Sequence, residues 1–222
     1  MKLFKSSAAT VKLIGGRLCL DFVNTVGGRK SDSPHRKSQT LNTLVRDDKL
    51  GDYSDLVSWS RHSRIITATE VGRLIQKSKR SAIEGQTVFE RALALREALY
   101  RIFKARLTGR TPPRVNLETL NDELLEARSH ERLIHGADGF TWTWSGTGVA
   151  LDRILWPVAH SAAEFLTTGD LSRLRECGGD DCGWLFEDTS RNRSRQWCHM
   201  QDCGNVAKVR RFRMRLLRNR KS

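Results

Sequence analysis

The sequence predicts an α+β fold in two units: a mainly helical amino-terminal domain with a small sheet, and a small cysteine-rich module that ends in a basic helix. Three observations support this prediction. Apolar residues recur at helical spacing over 87–107, aromatic and polar residues alternate over 140–144, and four of the five cysteines lie within 177–203. We expect the two units to span residues 1–170 and 171–222.

The first structured segment of the chain is short and glycine-bracketed. Residues 13–28, LIGGRLCLDFVNTVGG, alternate in part between apolar and polar side chains, which predicts a strand or hairpin. Residues 29–40 are polar and contain Pro34, which predicts an exposed loop. Cys19 lies alone in the apolar run, so we interpret it as a small buried side chain without a chemical role.

Helical signals dominate the middle of the amino-terminal domain. Thr67 and Glu70 have the spacing of a capping box and predict a helix that begins there. The apolar periodicity of 87–107 predicts a long amphipathic helix, which Thr-Pro-Pro at 111–113 ends. We expect Asn116 to cap the next helix.

A strand and a helix complete the amino-terminal domain. FTWTW at 140–144 predicts a strand, and the Ser-Gly-Thr-Gly sequence at 145–148 predicts a turn after it. Apolar residues over 151–166 predict another amphipathic helix, kinked or started near Pro157 and ended by Gly169.

Composition and segment lengths indicate a folded, soluble protein. Hydrophobic residues make up 38% and charged residues 29% of the chain, which favours a globular fold over disorder. No apolar run approaches the roughly 18 to 20 residues needed to cross a bilayer, and Lys5 and Lys12 interrupt the region where a signal peptide would be apolar. We therefore expect a cytoplasmic protein with no membrane partner.

The four clustered cysteines have the spacing C-x4-C-x15-C-x4-C. They are Cys177, Cys182, Cys198 and Cys203. A reducing cytoplasm favours metal ligation over disulfide pairing, and structural zinc is bound by four thiolates at about 2.3 Å from two short loops. Glycine directly follows three of the cysteines, where a chain that wraps a metal often needs positive φ. We expect a structural Zn²⁺ site.

Other interpretations of the cysteine cluster remain open at this stage. An iron–sulfur cluster also uses four cysteines, although two regular loops with glycines favour zinc. His199 is a candidate to replace one cysteine, but four sulfurs already complete the coordination of the ion. Four thiolates leave no position for a catalytic water molecule, so hydrolysis is disfavoured.

Positive charge is concentrated at the carboxy-terminal end. The chain has a net charge of +14, and residues 189–222 contain eleven Lys and Arg against one acid. Arginine makes paired hydrogen bonds to phosphate and guanine, which favours a nucleic-acid partner, whereas a solvated helix or acidic lipid is the alternative. The expected nucleic-acid contacts are Arg191, Arg193, Arg195, Lys208, Arg210, Arg211, Arg213, Arg215 and Arg218.

An apolar stripe runs through the same basic segment. Its members recur at helical spacing and are Val206, Val209, Phe212 and Leu216. We expect a helix that packs this stripe on the metal module and presents basic side chains to solvent. A metal-braced helix with outward arginines is the arrangement by which small zinc modules contact DNA.

Two segments of the chain resemble a known bacterial family. The sequence LRECGGDDCGWLFEDTSRNRSRQWCHMQDCGNVAKVRRFRMR resembles the CGNR-type zinc finger of bacterial stress-induced transcription regulators, and GGRLCLDFVNTVGGR resembles the start of the ABATE domain that precedes it. The resemblance covers nearly the whole chain. Val206 stands where the family's C-G-N-R pattern has arginine, so a contact made by that arginine is absent here.

The resemblance implies a zinc-dependent, DNA-binding transcription regulator that responds to stress or to a ligand through its amino-terminal domain. A zinc-containing RNA-binding or ribosome-associated protein is the alternative, because arginine does not distinguish RNA from DNA. The sequence contains no nucleophile–base pair, phosphate-binding loop or carboxylate dyad, so we expect no enzyme activity. We expect a homodimer, because one short helix gives little affinity or specificity.

By analogy with regulators built from a sensor and a reader, the ABATE-like domain is expected to bind a small-molecule effector or to mediate pairing. The candidates to line a polar effector pocket are Arg17, Asp21, Asn24 and Arg96. Ordinary roles at strand ends and on helix surfaces are the alternative for these four residues.

Overall fold

The computed structural model describes residues 7–30, 47–145 and 150–219, without the side chains of Ser7, Arg218 and Asn219. The helices are α1 (Leu18–Val23), α2 (Tyr53–His62), α3 (Ala68–Arg80), α4 (Ala82–Leu107), α5 (Arg114–His130), α6 (Leu155–Thr167) and α7 (Asn205–Asn219), and the strands are β1 (Glu131–Gly136), β2 (Gly139–Trp144), β3 (Leu174–Glu176) and β4 (Leu185–Glu187). This order confirms the predicted α+β class. No helix in the described ranges combines the length and apolarity that crossing a membrane requires.

Helix α4 is the central element of the amino-terminal part, because it contacts α1, α2, α3, α5 and α6. The periodic apolar residues that predicted this helix are all buried; they are Val88, Ala92, Leu95, Leu99, Ile102 and Phe103. Phe103 meets Phe165 of α6 with ring centroids 5.8 Å apart. Burial of each large apolar side chain stabilises the fold by about 1.5–3 kcal/mol, so this core provides the main driving force for folding.

Predicted helix boundaries are confirmed where local chemistry determines them. At the start of α3, the Glu70 backbone N–H donates to Thr67 Oγ1 over 3.3 Å, and the Thr67 N–H donates to Glu70 Oε2 over 2.6 Å. Helix α6 begins two residues before Pro157. The proline therefore lies in the first turn, where its missing N–H breaks no helical hydrogen bond. It ends two residues before Gly169.

Two local predictions are wrong. The segment predicted as a strand or hairpin forms the short helix α1, and only Val26 makes an isolated β-bridge, to Asp48. Four of the six α1 residues are buried, so the segment carries no clear period of two or 3.6. Asn116 does not cap α5: the cap position is Pro113, and Asn116 is a buried residue of the first turn.

The segment predicted as an exposed loop lies mostly outside the described residues, but its beginning is buried. The guanidinium of Arg29 donates two hydrogen bonds of 2.9 Å to Glu97 and lies 4.1 Å from the centroid of the Tyr100 ring. The Arg29 side chain is 3% exposed. A charge this deeply buried is stable only because the bidentate partner compensates its lost hydration.

The predicted strand at 140–144 is confirmed as β2, which pairs with β1 in an antiparallel hairpin. Trp144 anchors the base of this hairpin, with its ring centroid 5.8 Å from that of the buried Trp156 in α6. His130, at the end of α5, stacks on the ring of Trp156, and the two ring centroids are 4.0 Å apart. The turn predicted at 145–148 falls almost entirely outside the described residues.

The second small sheet, β3 and β4, joins the carboxy-terminal module to the helical part. Leu174 of β3 and Leu185 of β4 are buried in the main hydrophobic core. The Asn24 side chain donates to the Leu185 carbonyl over 2.7 Å and accepts from the Leu185 N–H over 2.8 Å. The division at residue 170 stays a prediction from sequence, and the packing is continuous across it.

We expect Asn24→Ala to lower the free energy of unfolding by about 2–4 kcal/mol, because it leaves two buried backbone groups of Leu185 without partners. Urea denaturation followed by circular dichroism measures this change. Asn121→Ala, at an exposed position of α5, is the matched control and should change stability by less than about 0.5 kcal/mol. Equal losses in both variants would contradict the proposed role of Asn24.

Candidate metal centre and basic helix

Two turns of the module bring the four cysteines together. Cys177 directly follows β3 and Cys182 lies shortly before β4, so the turn between the strands presents the first pair. Cys198 follows the long connection after β4, and Cys203 lies in the π-helical turn Met200–Gly204 that leads directly into α7. Only Gly204 separates Cys203 from the start of the basic helix α7.

The sulfur positions fit a tetrahedral zinc ion. All four Sγ atoms lie within 4.8 Å of one another, and the Cys198 Sγ is 3.6 Å from those of Cys182 and Cys203. Zinc–sulfur bonds of about 2.3 Å in a tetrahedron place sulfurs about 3.8 Å apart. A disulfide requires about 2.05 Å, and all the cysteines are free. The cluster is positioned to bind one zinc ion in a closed, structural site.

Backbone groups prepare the cluster for a cation. The N–H groups of Gly179 and Cys198 donate to the Cys177 sulfur over 3.4 and 3.2 Å. Hydrogen bonds from Cys182 and Cys198, together with these N–H groups, lower the pKa of Cys177, and the hydrogen bond to Cys177 raises the pKa of Cys182. A bound cation favours the thiolate form of every ligand, so metal binding releases protons.

One of the glycines that follow the cysteines is required by both conformation and space. Gly183 has φ +70°, and a Cβ added there would lie 2.8 Å from the Cβ of Arg29. The backbone N–H of Arg29 donates to the Cys182 carbonyl over 3.3 Å, and the Lys30 ammonium donates to the Cys177 carbonyl. The segment at residues 29–30 therefore packs directly against the candidate metal centre.

The connection between β4 and Cys198 is held by a buried carboxylate. Asp188 accepts hydrogen bonds from the N–H and hydroxyl of Ser190 and from the N–H of Arg195, at 2.6 to 3.0 Å. Burial alone raises the pKa of Asp188, but these hydrogen bonds outweigh it and the pKa lies below its ordinary value. Asp188 has a structural role that its sequence position did not indicate.

Three of the basic residues predicted to contact nucleic acid have partners within the protein. Arg195 lies 4.2 Å from the Phe186 ring centroid and donates to the carbonyls of Ile14, Trp197 and Cys198. Arg193 pairs with Asp170 at 3.3 Å, and Arg210 pairs with Asp180. The remaining described members are exposed: Arg191, Lys208, Arg211, Arg213 and Arg215. The side chain of Arg218 lies outside the described part.

The expected packing of the α7 stripe on the metal module is wrong. Its members are 48% to 67% exposed; they are Val206, Val209, Phe212 and Leu216. The module uses its own aromatic groups around the cysteines: Phe186 is buried there, and Trp184, Trp197 and Ile14 pack beside it. The stripe is therefore left exposed along α7, and of its members Val206 borders a groove that Trp184 and Trp197 also line. Val206, at the family's arginine position, is 67% exposed.

The four residues proposed for an effector pocket bind neighbouring protein groups instead of converging on one cavity. Arg17 donates to Glu187 over 2.7 Å, Arg96 makes a bidentate pair with Asp48, and Asn24 holds Leu185. Asp21 accepts from the Gly15 N–H over 2.7 Å. Three of these contacts stabilise the junction between α1 and its neighbours.

Sequence reasoning missed a groove of about 780 Å³ at the base of α7. Its walls are formed by Trp184, Trp197, Arg210 and Arg211, together with the turn at Gly27 and Gly28. No sequence pattern signals this groove, because its walls come from segments more than 150 residues apart. His199 does not replace a cysteine in the cluster: the four grouped ligand atoms are all cysteine sulfurs, and the His199 Nδ1 lies 3.2 Å from a carboxylate oxygen of Asp202.

Comparisons with known proteins cover both units. A family model of the ABATE domain, described as "Putative stress-induced transcription regulator", matches residues 16–169. A second model, described as "CGNR zinc finger", matches residues 173–216 and includes all four clustered cysteines. No curated protein matches the chain. The matches confirm the resemblance seen in the sequence, and both are families of regulator or zinc-finger type.

Replacement of one ligand should release the metal. We expect purified wild-type protein to contain one zinc ion per chain by elemental analysis, and Cys203→Ser to lose it on dialysis against a chelator. Because Leu174 and Leu185 share the main core, metal loss should lower the melting temperature of the whole chain by more than about 5 °C. Cys19→Ala, far from the cluster, is the control that keeps its zinc; zinc retention by Cys203→Ser would refute the assignment.

Asp21 should make stability depend on pH. Desolvation by burial raises its pKa from 3.8 to about 6, so the folded state disfavours the ionised form. The stability linked to this group is full below pH 3.8 and is lost as pH rises through about 6. We expect Asp21→Asn to stabilise the protein by about 1–2 kcal/mol at alkaline pH and not in acid, by urea denaturation. Asp138→Asn, at an exposed position, should show no such difference.

Proposed function

The chain belongs to the ABATE family of transcription regulators, and from this premise we propose that it is a zinc-dependent, DNA-binding transcriptional regulator. The zinc finger at 173–216 is the DNA-binding part, and the ABATE domain at 16–169 carries the response to stress or to a ligand. The family description, which names a stress-induced transcription regulator, supports action on DNA. We place this action in a bacterial cytoplasm as part of the proposal.

The observation that carries this proposal is the charge of α7. Residues 205–219 contain six Lys and Arg and no acid. Lys208, Arg211 and Arg215 lie three or four residues apart, share one helical face and are exposed. In the described ranges, no hydrogen bond or ion pair engages these three side chains. A row of uncompensated cations on a rigid helix fits the spacing of a phosphate backbone.

Zinc supports this role by fixing the start of the helix. Cys203 lies in the turn that runs into α7 without a break, so a bound ion would tie the start of α7 to the turn between β3 and β4. When bound, the ion supplies structural cross-linking. The direction of α7 relative to the ABATE domain then follows from the contacts of Asn24, Arg17 and Arg195.

The exposed basic residues set the expected salt dependence. If about four or five phosphates are contacted, log affinity for duplex DNA should fall with log salt at a slope of about −4, at roughly 0.9 per contact. Arg211→Ala with Arg215→Ala should reduce the slope by about two units. Fluorescence anisotropy with zinc-loaded protein measures both slopes, on a fragment selected from genomic DNA.

Arg110→Ala, at an exposed position after α4, is the matched control and should leave the slope unchanged. A slope that is flat, or that both sets of substitutions reduce equally, would remove α7 as the DNA-binding element. Structured RNA measured at equal salt tests the alternative partner. Tighter binding of RNA than of duplex DNA would replace the proposed function with RNA binding.

A further inference from the structure

The hairpin of β1 and β2 has one apolar face, and most of that face is uncovered. Leu133 is paired with Trp142 and His135 with Phe140, so these four side chains point to the same side of the hairpin. Phe140 is 75%, Trp142 64% and Leu133 54% exposed. The opposite side of β2 carries Thr141 and Thr143.

Such a face normally packs on a core. Two-stranded hairpins are marginally stable in water unless a face is covered. Here only the base is covered, where Trp144 contacts Trp156 and Glu131 lies 3.0 Å from His160 of α6. Beyond this base, Phe140 and Trp142 remain largely exposed, and Trp142 borders a groove shared with α5 and α6. The alternation of aromatic residue and threonine therefore leaves an apolar face open to solvent.

The exposed area matches one side of a protein interface. Full burial of an aromatic side chain removes about 150–250 Å² from water, so the exposed parts of Phe140, Trp142 and Leu133 amount to about 400 Å². A standard interface buries about 800 Å² per partner, of which about 450 Å² is apolar. Beside Trp142, a groove of about 560 Å³ lies between the hairpin, α5 and α6 and gives this face a concave border.

The segment that contains the hairpin has the smallest net charge of the three parts of the chain, so two copies repel each other least when they meet there. Residues 114–167 contain four basic and eight acidic residues, a net charge of −4, whereas 1–113 carries +12 and 168–222 carries +6. Two copies repel each other over the basic parts of their surfaces. On this face Glu131 lies at the covered base, and the outer pairs bear no Lys, Arg, Asp or Glu, so the outer part can be desolvated without burying one of these charges.

We propose that this face of the β1–β2 hairpin binds the same face of a second copy and forms a symmetric dimer. Its biological meaning rests on the proposed function, because a dimer presents two copies of α7 to two half-sites of DNA. The contact uses the outer part of the hairpin, and it leaves the zinc module free. The aromatic pair Phe140 and Trp142 is the centre of the interface.

Sedimentation velocity of the zinc-loaded full chain over a range of micromolar concentrations tests the proposal. We expect the wild-type chain to be a dimer. Phe140→Ser with Trp142→Ser should weaken dimerisation by at least about 100-fold, because two buried aromatic anchors are removed. Leu133→Arg should have a similar effect, because it places a charge in the desolvated face.

The control is Leu125→Ser on α5, a leucine that is 74% exposed and lies outside the hairpin. It should leave the dimer intact. Zinc content and circular dichroism equal to wild type establish that each variant is folded. A wild-type chain that stays monomeric, hairpin variants that remain dimeric, or equal weakening by Leu125→Ser would each overturn the proposal.

Duplex binding separates this inference from the proposed function. Monomeric hairpin variants should bind a single half-site as the wild type does and lose affinity only for paired half-sites. A dimer that depends on the hairpin in a chain that binds no DNA would support the interface and refute the proposed function. Tight binding of paired half-sites by monomeric hairpin variants would overturn the interface and leave the DNA-binding role.

Discussion

The convergence of four sulfurs on one point is the constraint on which the carboxy-terminal half of the structure depends. The module between β3 and α7 has a small apolar cluster, with only Cys177, Phe186 and Cys198 buried in it. Such a cluster cannot offset the conformational entropy of about 30 residues. Thiolates at tetrahedral spacing are positioned to supply the missing free energy through a bound metal, and the start of α7 is tied to that local geometry through Cys203.

The sequence correctly predicted the features whose signals lie within a few neighbouring residues. The period of α4, the capping box at Thr67 and the paired cysteines each appear within a few residues, and each was confirmed. The six residues of α1 were misread because a segment buried on most sides has no distinctive period. The stripe on α7 was misassigned for another reason: helical spacing shows that a face is apolar and does not show what covers it.

The arginines divide into two groups that sequence alone does not separate. Arg29, Arg96 and Arg195 are buried or half-buried and bind groups that lie 48 to 181 residues away. Their partners become visible only in the fold, so composition overstates the charge available for an external partner. The exposed group on α7 is smaller than the net charge suggests, yet it is concentrated on one element and has no acid nearby on that helix.

The packing of Leu174 and Leu185 in the core of the helical domain has a consequence for the independence of the two parts. Zinc fingers of many kinds move between proteins as independent cassettes, because each completes its own interior. This finger does not complete its own interior. Its Leu174 and Leu185 are buried in the main hydrophobic core, and Asn24 of the neighbouring domain binds Leu185. Separation of the two parts at this junction would expose apolar surface on both, so each part depends on the other for its stability and solubility.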